Sequence, residues 1–446
     1  MIGTLFSSAL LLNGVVAFPH IAEMVKQKRA GVGIPNEVLK FPEYPGLPTH
    51  ALFNEFDAAS QYVDLTGAHA FKAPGPGDIR GPCSGLNAAA NHGFISRDGI
   101  ATASDIESGL WDAFSLDHTA TIFLTTVTSF FNGDPISGRW SIGPHSDKTN
   151  SLGVLGELLG NETGICAYGH LRSEGDASIT RGDWLAPDHN SNCRSYPEFM
   201  QQLFDLSDER ADGLITPRVL AEHADNRKKH SIATNPNYFS PPYAGIAFTF
   251  GAHMFSWELM ANHSAEFPRG HMTQQNYMDF FGYTRDASGA LQFNRGTEKI
   301  PENWYKRSEK DPWTLLDIGA STAQQCVSWP SSCLVGGNTG TVNSFQGVNA
   351  GDISGGLLNS FDDLQNPERL MCFINQAIIA DTPSSLSNVL EGTLLTTALG
   401  MIDTKLKPVL EMWGSCPNLP AGRALHEYDG KFPGAEGPTS GPRSGE

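Results

Sequence analysis

The chain is poor in positive charge. Its 446 residues include 30 Lys and Arg against 48 Asp and Glu, a formal charge of -18. The isoelectric point near 5.2 follows. Such a surface repels phosphate backbones and argues against nucleic acid as a partner; the longest basic cluster, "NRKKH" at 226–230, suits a solvated helix end. Long apolar runs are also missing: beyond the N-terminus no segment approaches the about 18 uninterrupted apolar residues of a membrane span. Cysteine is scarce, seven in all, and none stands in a Cys-x-x-Cys pair. A structural zinc site or a thioredoxin-like redox pair therefore has no support. The Gly-x-Ser-x-Gly elbow of hydrolases is absent, and "GVLGELLG" lacks the strand and spacing of a dinucleotide fingerprint. "DERADGLITPRV" starts like a calcium loop with Asp208, Asp212 and Gly213, but carries Val219 where a bidentate Glu is needed.

What is present supports a large core: 40% hydrophobic and 10% aromatic residues, in a length that suits one large or two ordinary domains. The start, "MIGTLFSSALLLNGVVAFPH", has an apolar run ending in small residues, with Val15 and Ala17 placed for a cut before Phe18. It reads as a secretory signal over residues 1–17, and the sequons at Asn161 and Asn262 fit that route. The stretch 195–230 reads as two helices joined around Asp212-Gly213, and "AGIAFTFGAHMFSWELMANHSAEF" as one mostly apolar helix. Further helices are expected at "PERLMCFINQAIIAD" and "SLSNVLEGTLLTTALGMID". Long Gly/Pro/Asn segments such as "GGNTGTVNSFQGVNAGDISGG" separate them as loops. No repeat and no linker divides the chain. The expectation is a mainly α fold, a single helical domain over residues 18–428, with a disordered tail at 429–446.

An oxidising compartment pairs six cysteines and leaves one over. Cys326 and Cys333 can close the small loop "CVSWPSSC"; Cys83 has the most unusual surroundings. In "GPCSGLNAAANHG", Leu86 and Ala88 to Ala90 favour helix and Gly93 suits its C-terminal cap. Cys83 then stands at a helix N-terminus, where free N–H groups and the dipole lower a thiol pKa and favour a thiolate. Such a cysteine is a disulfide half, an inert thiol, a nucleophile or a metal ligand. A second cluster, "HLRSEGDASITRGDW" at 170–184, sets Glu174, Asp176 and Asp183 among Arg172 and Arg181. Glu174, the carbonyl of Gly175 and Ser178 can face one hard cation such as magnesium.

Together, "GPCSGLNAAANHG", with its approach "APGPGDIR" and the "RDG" at 97–99, and "EGDAS" at 174–178 resemble the fungal haem-thiolate peroxidases, the family of chloroperoxidase and the unspecific peroxygenases. The resemblance runs from about residue 40 to 420, with firm motif identity in those two segments. It implies a helical domain around a buried haem b with Cys83 as its axial thiolate, Glu174, Gly175 and Ser178 holding Mg2+ beside a propionate, and a Cys372–Cys416 disulfide. The implied activity is peroxide-driven oxidation or oxygenation of small organic molecules by a secreted enzyme. Two alternatives share the fold: a haloperoxidase or tailoring oxidase of secondary metabolism, and a secreted haem-binding module without catalysis. The resemblance also implies a distal glutamate, and here the chain departs from it. That position falls near Ala252 and His253, which leaves His253 or, one turn on, Glu258 to move the peroxide proton. Ser84 stands where the family usually has Pro, an expected loosening of the turn, and Ser173 where long peroxygenases often carry Phe.

Overall fold

The computed structural model describes residues 56–134, 136–151, 164–166 and 171–348, with parts of 363–374, 400–411 and 430–435. The proposed signal, the sequon at Asn161 and Cys416 lie outside the described residues. Helices dominate, each started by local chemistry. Helix α1 (Ser84–Asn91) is capped by Cys83 in extended conformation. It closes at Gly93, whose φ of 69° provides the left-handed turn expected there. Helix α2 (Ala103–Phe114) opens on a capping box between Thr102 and Asp105, and α3 (His118–Asn132) on the Asp117 carboxylate, which accepts the Ala120 N–H. Helices α4 (Pro197–Ala211) and α5 (Pro217–Thr234) form the anticipated pair, both with Pro in the first turn. Between them Asp212 and Gly213 adopt φ of 49° and 82°, so the chain reverses where the sequence marks it.

The apolar segment after Pro242 departs from expectation. It begins as a π-helical turn, Gly245–Phe250, and becomes α-helix only over Gly251–Glu258, here α6. The helix stops before the expected "ANHSAEF". Asn262 leaves it to accept the Tyr305 N–H at 2.9 Å, so this sequon's amide is engaged inside the fold. Helices α7 (Gln274–Phe281) and α8 (Leu315–Ser328) follow, each behind a capping box.

Strands are short. β1 (Ile100–Ala101) and β2 (Gly133–Asp134) flank β3 (Arg139–Ser141) antiparallel, with Ile100 opposite Ser141 and Gly133 opposite Trp140. β4 (Phe239–Ser240) pairs with β7 (Gly336–Gly337), which pairs with β8 (Gln346–Gly347), and β5 (Tyr283–Arg285) with β6 (Leu291–Phe293). Thus β7 and β8 order the first part of a segment expected to be loop. Of the expected tail, residues 430–435 are described, and there Phe432 is fully buried against Phe239, with ring centroids 5.4 Å apart. Burying an aromatic ring stabilises by about 2–3 kcal/mol. The C-terminal helices expected from sequence lie largely outside the described residues.

Most of the core is one cluster that takes in α1, all eight of its residues buried; a smaller cluster joins Leu171, Phe239, Phe432 and Ala435. The alanines of α1 make its burial possible: Ala88, Ala89 and Ala90 have no exposure, and small side chains let α2 and α7 close upon it.

Candidate active site

The N-terminus of α1 opens into a cavity with about 1040 Å³ of atom-free space, its mouth included. Five helices build its wall. From α3 come Ala120, Phe123, Leu124 and Thr128; from the α6 segment Phe248, Ala252, Phe255 and Leu259. Both sets recur every three or four residues and so occupy one helical stripe. Phe114 of α2, Leu315 and Ile318 of α8, and Trp140 of β3 complete an apolar, aromatic-rich lining. Among the described residues the only ionisable side chains on this wall are Cys83 and Glu174. Its lining is that of a site for an apolar ligand.

Among the described cysteines Cys83 is the free one. Cys166 pairs with Cys193, and Cys326 with Cys333 as the loop suggested; Cys372 is disulfide-bonded. Cys83 is exposed on the cavity wall, yet the protein packed around its sulfur desolvates it. That desolvation pushes its thiol up, against the pull of hydrogen bonds from the N–H groups of Leu86 and Gly85 and the charge of Arg181. This corrects the expectation that the helix terminus alone would yield a thiolate: desolvation outweighs the helix N–H groups. A coordinated cation reverses the balance, because a ligating thiol is deprotonated outright.

The turn before α1 is held firmly despite Ser84. Asn87 reaches back and forms a pair of hydrogen bonds with Gly81, donating to its carbonyl at 2.8 Å and accepting its N–H at 2.9 Å. Ser84 occupies the first helical position, where Pro is tolerated but not required. Its hydroxyl instead accepts from Arg181 at 3.4 Å. The loosening expected from the missing Pro is thus offset by side chains.

The charge cluster at 170–184 is divided by the fold. Glu174 and Ser178 line the cavity with Cys83, and Glu174 accepts from Asn192 at 3.0 Å. Gly175 lies against the α6 segment so closely that a Cβ would come within 2.6 Å of Thr249 Oγ1. Asp176 and Asp183 point the other way and serve the backbone. Asp176 accepts the N–H groups of Trp184 and Phe239, and Asp183 that of Ala177, holding this alanine at a φ of 64°. Burial first, and the neighbouring Asp183 second, push the Asp176 carboxyl well above its ordinary range. Arg181, a bystander in the sequence reading, turns out to lie behind Cys83. Among the described residues no three His, Cys, Asp or Glu side chains gather at one point.

His253 and Glu258 are not brought to the cavity. Their neighbours Ala252 and Leu259 are on its wall, and one residue along a helix is a rotation of about 100°. His253 faces α5, its ring 5.7 Å from that of His223. Its Nδ1 bonds the Thr249 carbonyl, and burial lowers it to about 4, a neutral imidazole. Glu258 faces α8, where Ser321 donates to it, and burial raises it to about 8. The wall position matching the expected glutamate is Ala252.

A free cysteine at a buried helix terminus over an apolar cavity is the setting of a thiolate ligand, and comparison with known proteins agrees. Residues 69–309, more than half of the chain, match the model of "Peroxidase, family 2". The chain belongs to peroxidase family 2. It is thus a fungal-type haem-thiolate peroxidase by kinship, and an oxidoreductase that acts on peroxide, which sets aside the non-catalytic module. This family 2 peroxidase is similar to an aromatic peroxidase of Fusarium equiseti, 32% identical over 85% of this chain and 87% of the relative. It is also similar to the dothistromin biosynthesis peroxidase of Dothistroma septosporum, 32% identical over 82% and 84%. An aromatic peroxygenase of Cyclocybe aegerita is 35% identical over 52% of this chain and 60% of its own. Among the described residues no helix is long and apolar enough to cross a membrane.

Proposed function

We propose that this family 2 peroxidase is secreted and uses hydrogen peroxide to oxidise or oxygenate small aromatic or otherwise apolar molecules, with Cys83 as the axial ligand of haem b. The observation that carries this reading is the free Cys83 thiol at the N-terminus of a buried helix, opening into an apolar cavity. Bound there, a thiolate-ligated haem supplies heterolytic cleavage of the peroxide O–O bond. The chain's own part is to place the sulfur, support its charge with the Gly85 and Leu86 N–H groups, and exclude water with Phe123, Phe248 and Phe255. Aromatic walls favour planar substrates by offset and edge contacts. Ser173, donating to Asn132 at 2.5 Å, leaves space where an aromatic would stand.

The test is a spectrum. The ferrous carbonyl complex should show the red-shifted Soret band of a thiolate ligand, lost in Cys83→Ala, and peroxide should drive oxidation of simple aromatics. A protein that takes up no haem overturns the reading. The same assay with and without halide separates oxygenation from halogenation. A tailoring role in secondary metabolism is the second reading, favoured by the near full-length likeness to the dothistromin biosynthesis peroxidase. Secretion is tested by N-terminal sequencing of the mature protein, expected to begin at Phe18.

Glu174, the Gly175 carbonyl and Ser178 suit magnesium: one carboxylate and two neutral oxygens are the hard donors it takes. Glu174 is also the carboxylate on the wall that can accept and return the peroxide proton, since α6 presents only apolar groups there. Glu174→Gln distinguishes the roles. Loss of magnesium with turnover kept assigns the cation alone; loss of turnover with magnesium kept assigns the proton. His253→Ala and Glu258→Ala should retain most peroxide-driven turnover, and a fall of a hundredfold in either would restore that residue to the mechanism.

A further inference from the structure

Arg181 is 2% exposed and spends its donors on three partners around one turn. Nε donates to the Pro82 carbonyl at 3.1 Å, Nη2 to Ser84 Oγ at 3.4 Å, and Nη1 to the Cys193 carbonyl at 2.9 Å. The first two are the residues on either side of Cys83, and the third belongs to the Cys166–Cys193 disulfide. The guanidinium thus brackets the ligand cysteine and ties it to a covalent crosslink. Its planar fork suits several acceptors at fixed angles, which an ammonium on a flexible stem does not. The ring of Phe293 lies 5.4 Å from its Cζ, closing the far side to water.

The counter-charge that Arg181 feels most is Glu298. It has no exposure and accepts from Asn87 at 2.9 Å, the same Asn87 that clamps Gly81. Arg181 and Glu298 attract each other through this buried space, and Arg181 acts on Cys83 in the same way. In a water-poor interior such fields are far less screened than at the surface.

We propose that Arg181 is the positioning residue of the proximal turn, fixing Cys83 by its two neighbours and placing a positive charge behind the sulfur that Glu298 partly offsets. The inference rests on Cys83 being the haem ligand. A cation near the thiolate withdraws its electron density and favours the ferrous state, while a nearby anion does the reverse.

The experiment is a potentiometric titration of the haem-loaded protein, with the ferrous carbonyl spectrum recorded for each variant. Arg181→Gln should shift the ferric/ferrous potential downward and lose part of the thiolate-type Soret band, and Glu298→Gln should shift it upward with the band kept. Arg181→Lys should restore the potential towards that of the unsubstituted protein while losing part of the thiolate-type band, because charge returns without the fork. An unchanged or raised potential in Arg181→Gln overturns the proposal. Should that variant not take up haem, an unchanged or lowered potential in Glu298→Gln overturns it instead. Absence of the thiolate band in the unsubstituted protein would strike the haem-ligand reading, a distinguishable failure.

Discussion

Several buried side chains are held in the neutral form they would lack in water, and each makes stability depend on pH. Glu258 ionises near 4.5 when unfolded and about 8 when folded. The folded state therefore keeps a proton that the unfolded state releases, and stability falls as pH rises from 4.5 to 8. Each pKa unit is about 1.4 kcal/mol, so the total is on the order of 4–5 kcal/mol. Glu258→Gln, which keeps the shape without the charge, should flatten this decline in urea titrations across that range. His263 works in the opposite sense. Its Nδ1 bonds the Pro268 carbonyl at 3.0 Å, and burial takes it from 6.5 to about 4. Its contribution is complete above 6.5 and lost as pH falls towards 4, about 3 kcal/mol in all. His263→Asn, able to donate to the same carbonyl, should unfold less readily in acid; equal acid sensitivity in both proteins would refute the assignment.

At the scale of elements, the site depends on backbone approaches that side chains would block. Gly81 passes so near β3 that a Cβ would stand 1.7 Å from the Ile142 carbonyl oxygen. Gly81→Ala should cost more than about 4 kcal/mol, because neither backbone can yield. Little soluble, haem-binding protein is the expected result, and normal haem uptake would show that the turn has slack. The position of Cys83 at the head of α1 was legible in the sequence, since Pro82, the alanine run and Gly93 are local signals. So were the Asp212-Gly213 reversal and the Cys326–Cys333 loop. The distal side was not. Which stripe of α6 meets the cavity depends on the π-helical turn at Gly245–Phe250, which adds a residue to the local repeat and rotates everything beyond it. Hence His253 and Glu258, plausible by type, sit one position off the wall. Arg181 was passed over for a similar reason: its partners Pro82 and Ser84 lie about a hundred residues away, beyond any local pattern.

For the whole molecule, two long-range ties matter most. The Cys166–Cys193 bridge spans 27 residues and includes the Glu174–Ser178 loop. Chain-entropy estimates for a closed loop of this size give about 3–4 kcal/mol. The second tie is Phe432. Phe432→Ala should lower unfolding stability by about 3–5 kcal/mol, measurable as a reduced midpoint in denaturant; no change would mean that the C-terminal contact is dispensable. The burial of α1 also sets the direction of approach. All eight residues of that helix are buried, while Cys83 just ahead of them is exposed on the cavity wall, so a ligand meets the sulfur from the cavity side with the helix behind it.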